Sequence, residues 1–124
     1  MRHRIGGRQF GLASDARRAL LKGLLRSMII YKRIETTETR AKDLQPLIEK
    51  LVTRAKNEDT VHSRRIVRAQ IGGRSAADET IVNHLFTELA PKFKDRPGGY
   101  TRMAKKGIRR GDGAPVVILE FIND

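Results

Sequence analysis

Cysteine is absent from these 124 residues, which excludes a disulfide framework and any cysteine-based zinc site. Aromatic residues make up only 5% of the chain, too few for the aromatic-rich strands that stack single-stranded bases. No apolar run approaches the roughly 18 residues of a membrane-spanning helix, and the opening residues do not read as a signal peptide, so the expected compartment is the cytosol. His3, His62 and His84 fit no metal-ligand spacing. None of the glycine pairs at 6 and 7, 72 and 73, or 98 and 99 leads into the Gly-Lys-Ser/Thr ending of a nucleotide-binding loop. Hydrolytic or transfer chemistry needs convergent groups of tuned acidity, and no such set is recognisable. Neither a zinc finger, a basic zipper, an internal repeat nor a heptad array is present. These absences leave no expectation of an enzyme, a metal, a cofactor, a small-molecule substrate or a membrane partner.

What the chain has in abundance is positive charge. Twenty-six Lys and Arg stand against fourteen Asp and Glu, a net of +12, enough to draw in polyanions, with nucleic acid the leading class. The excess is localised. Residues 1–33 hold nine basic residues and Asp15 alone, residues 34–91 balance at nine of each sign, and residues 92–110 hold eight basic residues against Asp95. The last fourteen residues are net acidic, at −3. A solvated face is the bland reading of one basic run; two dense segments around a neutral middle favour nucleic acid. With so few aromatics, recognition is expected to rest on phosphates, 2′-hydroxyls and the shape of folded RNA.

Hydrophobic residues form 39% of the chain, so a single packed domain is affordable at this length. Residues 1–13, MRHRIGGRQFGLA, show no periodicity and are expected to form an extended basic arm, with residues 14–124 as the domain. A first helix is predicted over about 15–31, with Ser14 as its N-cap, Asp15 in its first turn, and Leu20, Leu21, Leu24, Leu25 and Met28 on one face. Arg18, Lys22 and Arg26 recur every four residues on another face, beside Arg17 and with Lys32 beyond; unaccompanied by acids, they read as a phosphate-facing ridge. Lys32 to Thr37 reads as a strand, and Thr37 as the cap of a second helix over roughly 38–56. That helix carries an apolar stripe of Ala41, Leu44, Ile48, Leu51, Val52 and Ala55, strong enough to outweigh Pro46. Asn57 is expected to leave it in a left-handed conformation, and Asp59 or Thr60 to cap a third helix ending at Gly72 and Gly73.

GGRSAA, residues 72–77, reads as a flexible loop, and a fourth helix is predicted over about 78–90 with Pro91 just beyond it. Tyr100 to Lys106 and Val116 to Phe121 read as an antiparallel hairpin joined by a glycine-rich turn, with the early strand near Ile34 joining the same sheet. The fold class is therefore α+β: one two-layer domain in the order α-β-α-α-α-β-β, with helices packed on a small three-stranded sheet. Tyr100, inside the second basic segment, either stacks on a base or packs under the sheet edge.

Four ordered motifs resemble a known family: MRHR with Gly7 and Arg8, RIETT at 33–37, GGYTRM at 98–103 and GDGAP at 111–115. Across nearly the whole chain the sequence is similar to bacterial large-subunit ribosomal protein seventeen. The resemblance implies the same α+β order, no enzymatic activity, and a structural role on large-subunit ribosomal RNA. It also implies a place on the outer face of the subunit towards the polypeptide exit side, beside other ribosomal proteins. Arg2, His3, Arg4 and Arg8 match the family's RNA-facing arm, and Tyr100, Arg102, Lys105, Lys106, Arg109 and Arg110 its basic hairpin. GGRSAA and the early Pro46 depart from the family pattern. From charge alone, a free nucleoid or regulatory DNA-binding protein is the alternative, followed by a module for acidic proteins.

Overall fold

The computed structural model describes residues 13–72 and 76–122, so the basic arm up to residue 12 and the Gly73–Ser75 part of the loop lie outside the described residues. Helix α1 spans Ser14–Tyr31. Ser14 is already helical: the Ala13 carbonyl accepts from the Arg17 N–H at 2.9 Å, moving the N-cap position to Ala13. The Asp15 carboxylate takes the Ala16 N–H at 3.0 Å, so the acid of the first turn does what was expected of the Ser14 hydroxyl. The helix ends at Lys32, which adopts a left-handed conformation (φ 65°) and bonds its N–H to the Met28 carbonyl at 2.8 Å.

Strand β1 (Arg33–Thr37) leads directly into α2 (Glu38–Asn57). The six apolar residues of the expected stripe are all buried, and Pro46 sits exposed within the continuous helix. Thr37 holds the N-cap position, but its side chain makes no capping bond. Asn57 stays helical, and the chain leaves through Glu58 in an extended conformation (φ −152°), correcting the left-handed exit expected at Asn57. Here the Glu58 N–H closes onto the Arg54 carbonyl at 3.2 Å without a left-handed residue. Helix α3 (Val61–Ile71) is capped as expected, the Thr60 hydroxyl accepting from the Ser63 N–H at 3.1 Å. It terminates on left-handed Gly72 (φ 88°), where any side chain would collide with the Arg26 guanidinium.

Helix α4 (Ala76–His84) begins two residues inside the expected loop and continues through a π-helical segment (Leu85–Leu89) into α5 (Ala90–Lys92). Pro91 therefore lies within the helical run. The Ala90 N–H reaches five residues back to the Leu85 carbonyl, and this wider turn puts Pro91 in the first turn of a new stretch, where its missing N–H is not needed.

Strands β2 (Thr101–Ile108) and β3 (Pro115–Phe121) complete an antiparallel sheet of order β1-β3-β2. The most apolar strand takes the centre. Val117, Leu119 and Phe121 alternate into the core, while Val116, Ile118 and Glu120 occupy the opposite face. The helices pack on one face, with Leu44, Ile48, Leu51 and Val52 of α2 almost wholly buried at the centre of the core. Each such side chain contributes roughly 1.5–3 kcal/mol relative to exposure. Among the described residues no helix is long and apolar enough to cross a membrane.

Candidate nucleic-acid interface

The sheet turns its other face away from the helices, and that face carries charge. On β1, Arg33 and Glu35 stand opposite Glu120 and Ile118 of β3; on β2, Arg102 and Ala104 stand opposite the same two residues. Arg102 Nε donates to Glu120 at 2.7 Å, and Lys106 Nζ reaches across β3 to Glu35 at 2.8 Å. The register of β2 slips between Lys105 and Gly107, leaving Lys106 as the extra residue of a bulge that redirects its side chain. Lys105 is exposed on β2; the Glu38 carboxyl at the start of α2 is held below its ordinary range first by its hydrogen bond and ion pair with Lys42 at 3.1 Å, and only secondarily by Lys105.

Beyond the sheet, the tip is closed by Arg109 N–H to the Ala114 carbonyl at 2.9 Å and Gly113 N–H to the Arg109 carbonyl at 3.0 Å. Gly111 (φ 100°) and Gly113 (φ 68°) supply the left-handed positions of this turn, which explains the spacing in GDGAP. Asp112 organises it, accepting from the Arg109 guanidinium and from the Ala114 N–H. Those two bonds, the arginine's first, hold its carboxyl down at a pKa of about 2. Arg110 remains exposed beside them.

Tyr100 is corrected from a contact residue to a core residue. Its ring is fully buried, its hydroxyl lies 3.0 Å from the Thr53 hydroxyl, and it packs on Phe93 at a centroid distance of 5.3 Å. Lys56 Nζ lies 5.0 Å from its centroid while donating to the Arg96 carbonyl. Thr101, also buried, donates its hydroxyl to Glu49 at 3.0 Å and accepts from Gln45 at 3.1 Å, tying the root of the hairpin to α2. GGYTRM is thus mainly a fold motif, from which Arg102 projects outward, its side chain 66% exposed.

On α1 the ridge divides. Arg18 is exposed and Lys22 half-buried, whereas Arg26 turns to the end of α3 and donates its Nε–H to the Ile71 carbonyl at 2.6 Å. Arg17 is half-buried on the first turns. Arg2, His3, Arg4 and Arg8 lie outside the described residues. His62 is exposed on α3, and His84 pairs through Nδ1 with Glu88 at 3.0 Å.

At the far end of α1 a cleft of about 320 Å³ brings together residues separated by sixty positions: Tyr31, Lys32 and Arg33 on one side and Lys92 on the other. The end of the first basic segment thus meets the beginning of the second. Tyr31, Arg33 and Lys92 were absent from the sequence-derived site. The available signal was an aromatic next to Lys32 and Arg33; the convergence with Lys92 requires the fold.

Residues 20–122 match the family described as Ribosomal protein L17. The "Large ribosomal subunit protein bL17" of Thermodesulfovibrio yellowstonii is 49% identical over 99% of this chain and 88% of its own length. The protein of the same name from Thermomicrobium roseum is 47% identical over 98% of this chain and 99% of its own, and that of Clostridium novyi 50% identical over 93% and 96%. A match across the helices and the sheet alike, at nearly half identity and nearly full length, means that the chain belongs to the ribosomal protein L17 family.

Proposed function

We propose that this chain is a structural, non-enzymatic constituent of the large subunit of the cytoplasmic ribosome, and that it binds and stabilises folded large-subunit ribosomal RNA through phosphate and shape contacts. The observation that carries this reading is the placement of cations: they crowd the free side of α1, the cleft at its end and the hairpin, while the intervening helices are electrically balanced. Family membership supplies the ribosomal setting. Arg18 and Lys22 form the ridge, Arg102, Lys105, Lys106, Arg109 and Arg110 the hairpin contact, and the arm at residues 1–13 a further strap through Arg2, His3, Arg4 and Arg8. Arg17, Arg26 and Lys32 add charge along α1. Neighbouring large-subunit proteins towards the exit side are the remaining partners in this reading.

Co-sedimentation of the tagged chain with large subunits, together with competition between deproteinised large-subunit RNA and duplex DNA at moderate salt, tests it. Expected are recovery in the large-subunit fraction, a clear preference for the RNA, and a marked loss on deleting residues 1–13. Equal affinity for duplex DNA with no chain in the large-subunit fraction overturns the reading in favour of a DNA-binding protein.

A further inference from the structure

Five of the six aromatic residues lie in the described part of the chain, and four of them, Phe86, Phe93, Tyr100 and Phe121, are buried. Tyr31 is 70% exposed. It is the last residue of α1 and lines the cleft with Lys32, Arg33 and Lys92, together with the buried Phe93 and Phe121. At about 320 Å³ the cleft falls within the ordinary range of roughly 300–1,000 Å³ for small-ligand sites. Among the described residues no carboxylate forms an ion pair with Lys32, Arg33 or Lys92. Glu120, the acid that borders the cleft, is taken up by Arg102 at 2.7 Å.

Lys32 supplies an independent observation. It is the one described non-glycine residue with positive φ, at the left-handed cap position where glycine or asparagine is usual. Its carbonyl accepts from the Phe121 N–H at 3.1 Å, so the turn is fastened to the end of β3. A lysine held where glycine is favoured on backbone grounds gives up folding stability, and this lysine lines the cleft together with Tyr31 and Arg33.

An exposed aromatic face flanked by three uncommitted cations matches the chemistry of an unpaired nucleotide, which offers a π-face and an anionic phosphate on either side. We propose that this cleft seats a single extruded nucleotide of the RNA, its base stacked on Tyr31 and its flanking phosphates held by Lys32, Arg33 and Lys92. The proposal rests on the ribosomal-RNA reading and adds to it a base-contacting subsite, distinct from the phosphate-only contacts of the ridge and the hairpin.

The test titrates full-length protein with deproteinised large-subunit ribosomal RNA, following affinity by filter binding and tyrosine emission by fluorescence. The chain has no tryptophan and two tyrosines, of which Tyr100 is buried, so Tyr31 is the residue a stacked base would quench. Tyr31→Ala is expected to weaken binding roughly 5- to 150-fold, the worth of one stacked base. Tyr31→Phe is expected to retain affinity and to lose the RNA-dependent quench. Lys32→Gly is expected to weaken RNA binding while its melting temperature stays level or rises, a split that a purely structural role would not produce. If wild type binds and Tyr31→Ala binds equally well, or the wild-type emission is unchanged by RNA, the subsite is overturned and the wider reading stands. If wild type fails to bind the RNA, the wider reading falls and takes the subsite with it. If Tyr31→Ala keeps its RNA affinity but no longer enters large subunits, the cleft holds a protein segment, which also overturns the nucleotide.

Discussion

The hairpin and the end of α1 are both strongly basic, yet their cations are held differently. In the hairpin, Arg102, Lys106 and Arg109 each face a carboxylate, from Glu120, Glu35 and Asp112. Around the cleft, Lys32, Arg33 and Lys92 make no ion pair among the described residues, and the same is true of Arg18 and Lys22 on the ridge. A surplus counted along the sequence therefore overstates the hairpin's free charge relative to that of α1. The pairs give the hairpin its shape: Lys106–Glu35 spans the sheet, and Arg109–Asp112 closes the tip. Exposed pairs of this kind contribute little to stability, so RNA phosphates can replace the carboxylates at small cost. The hairpin is then a shaped contact in which three of five cations are paired, Lys105 and Arg110 making no ion pair among the described residues, and the end of α1 holds the cluster with none paired.

Removing what holds the hairpin in place gives the largest expected effect. Tyr100→Ala empties the site between Phe93 and Thr53 and is expected to cost about 3–5 kcal/mol in urea denaturation, by analogy with other buried aromatics. A loss below ~1 kcal/mol would show that the hairpin root does not depend on this ring. A smaller effect is expected from Glu120→Gln, which releases Arg102 and makes the hairpin more like the cleft. The salt dependence of RNA binding should steepen by up to about 0.9 in log–log slope. No change, with the fold intact by circular dichroism, would mean that Arg102 does not reach phosphate.

The smallest effect is confined to the tip and depends on pH. Asp112 has its pKa lowered from 3.8 to about 2, so the stability it contributes is present above pH 3.8 and lost as pH falls through about 2. On acidification, the Gly113 and Ala114 amides are expected to lose their hydrogen-bonded chemical shifts across that window, ahead of the sheet. A transition centred near 3.8 would show that the Arg109 contact is not formed in solution.

Much of this architecture was legible because it obeys short-range rules. The α2 stripe from Ala41 to Ala55 follows helical periodicity, and Thr60 and Gly72 sit where a cap and a left-handed exit belong. What escaped needed information from elsewhere in the chain. The left-handed end of α1 at Lys32 is fastened by the Phe121 N–H on its carbonyl, an interaction between residues 89 positions apart, while α2 leaves through extended Glu58. Pro91 marks no helix end because the π-helical segment before it resets the hydrogen-bond register. Tyr100 was open between base and core until Phe93 and Thr53 were seen around it. The basic segments were legible as charge, but which cations are paired depends on sheet register, and the cleft exists only where Lys92 meets Lys32 and Arg33.

The contrast between free and paired cations is tested most directly by the salt dependence of affinity for deproteinised large-subunit RNA. Three proteins are compared: wild type, the cleft variant (Lys32→Gln, Arg33→Gln, Lys92→Gln) and the hairpin variant (Arg102→Gln, Lys106→Gln, Arg109→Gln). The cleft variant is expected to flatten the log–log slope by about 2 to 3 and the hairpin variant by about 1 or less, since only a released counterion counts. Equal flattening in the two variants, or more in the hairpin, would contradict the distinction.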